Sequence, residues 1–245
     1  MNSVKLTLMS FVAATALQAI ASPASAADMN AMVYKAPPAA AVDPWSPWQL
    51  RLRALAVLPD AGGSTINVVG APALSSPNSG IKIDNSVVPE LDISYFLNPN
   101  WSVEVVLGVT PHKITGTGTL ANLNIGKTWL LPPTATLQYH FTNFGAFQPY
   151  VGAGVNYTVF FNQSAGNTAL GALPAITGLS VHNAFGAAFQ AGFDYMIDRH
   201  WGLNFDAKWL YLQPNFTATD TAGLPINGNA HINPWLIGGG ITYRL

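Results

Sequence analysis

The sequence predicts an all-β protein, an eight-stranded antiparallel transmembrane β-barrel with short periplasmic turns and long extracellular loops. Three observations carry that expectation. Apolar and polar residues alternate with a period of two through eight segments, the pattern of strands whose faces meet different media. The connections between those segments alternate between short and long. Within the segments, nearly every charge falls on a single register.

Composition narrows the field in the same direction. Of 245 residues, 49% are hydrophobic and 9% charged, against a usual charged share of roughly 25%. Mean hydropathy is +0.26. That is poor in charge for a soluble surface, while 22 glycines and 18 prolines are too many for a helical membrane bundle. A formal net charge of −1 leaves no basic footprint for nucleic acid. The lack of cysteine excludes disulfides, thiol nucleophiles and zinc thiolate sites.

The chain opens with Lys5 and the apolar run "LTLMSFVAATALQAIA", followed by the small-residue pattern Ala24-x-Ala26. This reads as a signal peptide over 1–26. Residues 27–47, "ADMNAMVYKAPPAAAVDPWSP", are Ala/Pro-rich without periodicity and read as a periplasmic linker. Trp45 and Trp48 flank its junction with the barrel, expected over 48–245. Beyond residue 26 no run reaches about 18 uncharged apolar residues. An apolar exported chain without a helical span satisfies its backbone in lipid by closing a barrel.

The alternating segments begin near Trp48 ("WQLRLRALAV"), Val87 ("VVPELDISYF"), Trp101 ("WSVEVVLGVT") and Leu131 ("LPPTATLQYHF"). The others begin near Gln148 ("QPYVGAGVNYTVF"), Val181 ("VHNAFGAAFQAGFDYMI"), Trp201 ("WGLNFDAKWLYL") and His231. Each supplies the roughly 9–11 residues of a tilted span. "LNPN" (97–100), "TNFGA" (142–146) and "DRH" (198–200) are tight turns. The stretches near 59–86, 112–130, 161–180 and 213–230, rich in Gly, Ser, Asn, Thr and Pro, are expected as long loops.

One register of every strand is uncharged, as in Leu50, Leu52 and Ala54, or Val103, Val105 and Leu107. A charge there would cost about 2–4 kcal/mol at mid-bilayer, so this face is assigned to lipid. Tyr95, Trp101, Tyr139, Phe141, Tyr195, Trp201 and Tyr243 gather near the short turns as an inner aromatic girdle. The other register carries Arg51, Arg53, Lys208 and Arg244 with Glu90, Asp92, Glu104, Asp194 and Asp206. Eight strands leave room only for side chains, so these charges are expected to neutralise one another in a lumen plug.

Toward the long loops the inward register turns apolar, at Leu55, Val57, Val106, Phe160, Leu210, Leu212 and Leu236. Two readings stay open: simple packing of a filled barrel, or a hydrophobic vestibule that binds an apolar molecule. Pro132 and Pro133 remove two ladder donors in succession. They mark either a lateral opening in the wall or a rim bulge without a gap.

"LPPTATLQYHF", "QPYVGAGVNYTVFF", "WGLNFDAKWLYL" and "INPWLIGGGITYRL" together resemble the OmpW family of bacterial outer-membrane proteins. The resemblance extends over about 48–245. It implies a barrel with a narrow hydrophobic channel for passive uptake of small hydrophobic molecules, with lateral exit into the bilayer as one route. The implied partners are outer-membrane lipid, small hydrophobic solutes and the outer-membrane assembly machinery. The family usually ends in an aromatic residue read by that machinery, and Leu245 stands there instead.

No catalytic chemistry is legible. His140 lies on the inner register near Gln138, with no Ser or Asp placed beside it by pattern. His112, His182 and His231 fall near the outer rim without metal-ligand spacing. No cofactor motif is found, since the "GAG" and "GGG" runs do not lead into helices. Two function classes therefore compete: a hydrophobic uptake channel, and a structural or surface-recognition barrel whose loops bind host, phage or toxin partners.

Overall fold

The computed structural model describes residues 46–245. The expected signal peptide, most of the linker and Trp45 lie outside the described residues. Fifteen strands follow in order. They are β1 (Trp48–Leu58), β2 (Thr65–Val68), β3 (Ser79–Ile83), β4 (Ser86–Phe96), β5 (Trp101–Leu107), β6 (Thr110–Gly118), β7 (Asn124–Leu131) and β8 (Thr134–His140). The second half comprises β9 (Phe147–Ala165), β10 (Ile176–Val181), β11 (Ala184–Met196), β12 (Trp201–Tyr211), β13 (Asn215–Asp220), β14 (Pro225–Asn229) and β15 (Trp235–Arg244).

Eight of these close the barrel by antiparallel pairing: β1, β4, β5, β8, β9, β11, β12 and β15, with β15 returning to β1. Closure leaves no edge, which is what backbone in hydrocarbon requires. Among the described residues no helix is long and apolar enough to cross a membrane, so the crossing falls to strands.

The two registers divide as their chemistry dictates. Leu52, Val105, Leu137, Val155 and Ile241 point out and stay exposed, while Arg51, Glu104, Gln138 and Thr242 point in and are buried. Phe185 is 80% exposed and Val155 65% exposed; only a hydrocarbon surrounding makes such a belt favourable. Aromatic rings bound the belt on both sides. Near the short turns Trp48 meets Tyr95 and Trp201 meets Tyr243, at ring-centroid distances of 4.9 and 4.6 Å. At the far end Tyr157 meets Phe185 at 4.6 Å, and Trp129 faces Phe161. The sequence predicted only the inner girdle.

The stretches expected as long loops are largely strand. Strands β3, β6 and β7 extend the wall beyond the membrane from the upper half of β9, and β2, β14, β13 and β10 form a separate four-stranded sheet. This crown has its own core, in which Ile66, Val68, Phe216, Ala218 and Ile226 are buried. Gly and Asn permit its turns, as at Gly118 and Asn122, whose φ values are 66° and 65°.

Candidate functional site

The lower half of the lumen is filled by the nine charged residues expected there, arranged by strand register. Arg51 and Asp92 are direct partners across β1 and β4, as are Arg53 and Glu90. Arg51 donates two hydrogen bonds to Asp194, from Nε at 3.1 Å and from a terminal nitrogen at 2.8 Å, and a third to Glu104 at 2.8 Å. Arg53 pairs with Glu90 at 2.7 Å, with Asp92 in a shorter contact, and with Asp206 at 3.6 Å. Lys208 reaches Glu104 at 3.4 Å. Glycines on β15 make the space: a Cβ on Gly238 would lie 3.3 Å from Arg53 Cδ, and one on Gly240 would run into the Leu52 carbonyl.

Arg244 departs from the expected charge pairing. It is part-buried at the periplasmic end and donates to two amides, Gln49 and Gln148, both at 2.7 Å. Neutral residues that charge counting does not single out complete the plug. Tyr150 donates to Asp206 at 2.9 Å, Asn204 donates to Asp194 at 2.8 Å, and the Arg51 guanidinium lies 4.9 Å from the Tyr150 ring centre.

His140 has a serine beside it after all, because Ser102 Oγ lies 3.0 Å from its Nε2. The β5–β8 register sets Ser102 opposite Gln138 and so one diagonal step from His140, a contact that no local sequence pattern encodes. Both side chains are fully buried, and His140 Nδ1 has no hydrogen-bond partner. A nucleophilic pair needs an oriented base and a reachable hydroxyl; this geometry is hydrogen bonding within the plug.

Above the plug lies a cavity lined mainly by apolar side chains. All seven residues expected along a vestibule border it: Leu55, Val57, Val106, Phe160, Leu210, Leu212 and Leu236. Glu90 and Lys208 form part of its boundary, where it meets the plug. A smaller cavity lies in the crown, and the two share Ile125 and Phe216 as lining residues. Sequence reasoning missed this upper cavity with the crown itself.

The wall beside the lower cavity is incomplete. Pairing of β5 with β8 ends at Val106↔Thr134, and pairing of β6 with β7 begins at Thr110↔Leu130 in the same continuing register. Residues 107–109 and 131–133 lie between those rungs with no ladder pairing to each other, and Pro132 and Pro133 have no N–H to offer. The β4–β5 ladder likewise ends at Leu91↔Leu107. On the β9 side there is no break, since Tyr157 N–H donates to the Pro133 carbonyl at 3.1 Å. Gly108 and Pro132, which a continuation of that register would set opposite each other, both line the cavity.

This architecture is that of a recognised group of barrels. The sequence model of the OmpW family matches residues 47–245. The chain belongs to the OmpW family. It is a bacterial outer-membrane protein. It is 49% identical over 199 residues to "Uncharacterized outer-membrane protein y4mB" of Sinorhizobium fredii, covering 81% of this chain and 80% of that one. It is 30% identical over 183 residues to "Dibenzothiophene metabolism operon protein PahQ" of Pseudomonas aeruginosa, covering 73% and 77%. Among solved structures, the outer membrane protein OprG of Pseudomonas aeruginosa superposes with a TM-score of 0.72 at 24% identity, covering 82% of this chain and 97% of that one. At that identity the likeness concerns the fold.

Proposed function

We propose that this OmpW-family barrel admits small hydrophobic molecules passively. The solute enters through the crown, rests in the cavity between Leu55, Val57, Val106, Phe160, Leu210, Leu212 and Leu236, and leaves sideways into the bilayer. The observation that carries this reading is the meeting of three features at one height. An apolar cavity stands over a plug dense in ion pairs, beside a wall seam that lacks ladder hydrogen bonds. An apolar solute has no reason to enter the plug, where it would separate paired buried charges. The seam offers hydrocarbon on its far side.

A relative named for a dibenzothiophene metabolism operon supports an apolar cargo of that chemical kind. The motive force is partitioning: about 25 cal/mol per Å² of apolar surface favours each transfer out of water. The test is uptake of dibenzothiophene by Gram-negative cells that carry the barrel, compared with cells that lack it. Leu210→Asp and Leu212→Asp should bring uptake down to the level of barrel-free cells. Unchanged uptake would remove the cavity from the route.

A further inference from the structure

Besides Glu90 and Lys208 at its floor and Thr134 beside the seam, the apolar cavity has a polar stretch of wall on β6 and β7, and it is organised. His112 on β6 lines the cavity and is 6% exposed. Its Nδ1 lies 2.8 Å from the backbone carbonyl oxygen of Asp84. A carbonyl can only accept, so Nδ1 carries the proton, and in the neutral ring Nε2 is then an unprotonated acceptor. The acceptor is itself fixed, because Asp84 N–H in turn donates to the carbonyl of Lys113 at 3.1 Å. Thr128 stands directly opposite His112 across the β6–β7 ladder, and Thr110 sits two residues away on the same face. Both threonines also line the cavity, whereas the wall across from them presents Leu55 and Val57 of β1, Leu210 of β12 and Leu212 just beyond it.

Resting on the reading of this cavity as a solute site, we propose that it selects apolar molecules bearing a single hydrogen-bond donor, such as phenols. The hydroxyl donates to His112 Nε2, and the hydrocarbon body lies against the β1 and β12 walls. A hydrocarbon without a donor fits the same space but leaves an imidazole acceptor unpaired in an apolar surrounding, which is unfavourable. A molecule with several polar groups would leave most of them unpaired against the leucines. The polar row is also on the β6–β7 side, next to the Pro132 seam, so the hydroxyl end of a bound solute faces the exit. His112 is thus a specificity-determining residue.

The test uses the full chain in lipid nanodiscs with 15N-labelled histidine, titrated with p-cresol and with p-xylene, two molecules of one shape that differ by hydroxyl for methyl. His112→Phe should weaken p-cresol binding about fivefold, the order expected for one neutral hydrogen bond, and leave p-xylene binding within twofold. His112→Gln, which keeps an acceptor, should retain most of the p-cresol affinity. In the unaltered chain the His112 Nε2 resonance should move with p-cresol and stay in place with p-xylene. Equal losses for both ligands in His112→Phe, or p-cresol binding indifferent to it, would overturn the proposal. Failure of the underlying cavity reading looks different: p-xylene binding would then be insensitive to Leu210→Asp.

Discussion

Arg51 and Asp194, 143 residues apart in the chain, meet inside the barrel through two side-by-side hydrogen bonds of 3.1 and 2.8 Å. Their strands, β1 and β11, are not neighbours in the wall, so the pair ties opposite arcs of the barrel together. Removing one partner leaves the other charged and buried, a loss of about 3–5 kcal/mol. Asp194→Ala should therefore lower stability by that amount in urea unfolding from lipid vesicles. Arg51→Met with Asp194→Leu removes both charges but leaves Glu104 with Lys208 as its remaining ion-pair partner, so it should recover only part of the loss.

Restoring a ladder donor should close the seam. Pro132→Val returns one N–H on the side of residues 107–109, in the register set by Val106↔Thr134, whereas position 133 faces β9, since its carbonyl accepts from Tyr157. Uptake of dibenzothiophene is expected to fall about tenfold, with the folded fraction unchanged by heat-modified gel mobility. If uptake holds while hydrogen exchange shows the new amide protected, the seam is not the exit.

The lipid-facing belt makes a prediction about depth. Val105 faces outward and pairs with Ile93 and Ala135 in the middle of the belt. Val105→Lys should cost about 2–4 kcal/mol in folding into bilayers. The same change at Thr217 in the crown, an exposed position, should cost less than about 0.5 kcal/mol. Equal costs at the two positions would mean that the belt is not in hydrocarbon.

Phe216, with Ile125, lines both the crown cavity and the cavity below it. Phe216→Ala should join the two spaces and raise uptake, while truncation of so large a buried ring lowers stability by about 3–5 kcal/mol. A paired measurement of uptake rate and unfolding midpoint checks both effects. Lower uptake per folded barrel would show that the ring guides the solute and does not restrict it.

The barrel was legible because lipid imposes a rule on every second residue. Leu50, Leu52 and Ala54 against Gln49, Arg51 and Arg53 leave no other placement, and the same logic separated the charged inward residues from the apolar ones by height. The crown was not legible for a physical reason. Its strands are four to nine residues long, as in Thr65–Val68 and Asn215–Asp220, and Gly, Asn and Thr interrupt them, so alternation never runs far enough to stand out. The Ser102–His140 contact and the amide partners of Arg244 depend on register and cross-barrel reach, which no single strand encodes. His112 stood out only as a histidine near the rim; what it can do follows from a bond to the Asp84 carbonyl.

The chain has no cysteine, which permits the most direct test of the route. Gly108→Cys with Pro132→Cys places two thiols opposite each other across the unpaired seam. In oxidised cells the disulfide should bring dibenzothiophene uptake to the level of cells without the barrel, and reduction should restore it. Uptake that is the same with the seam locked and unlocked would contradict lateral exit.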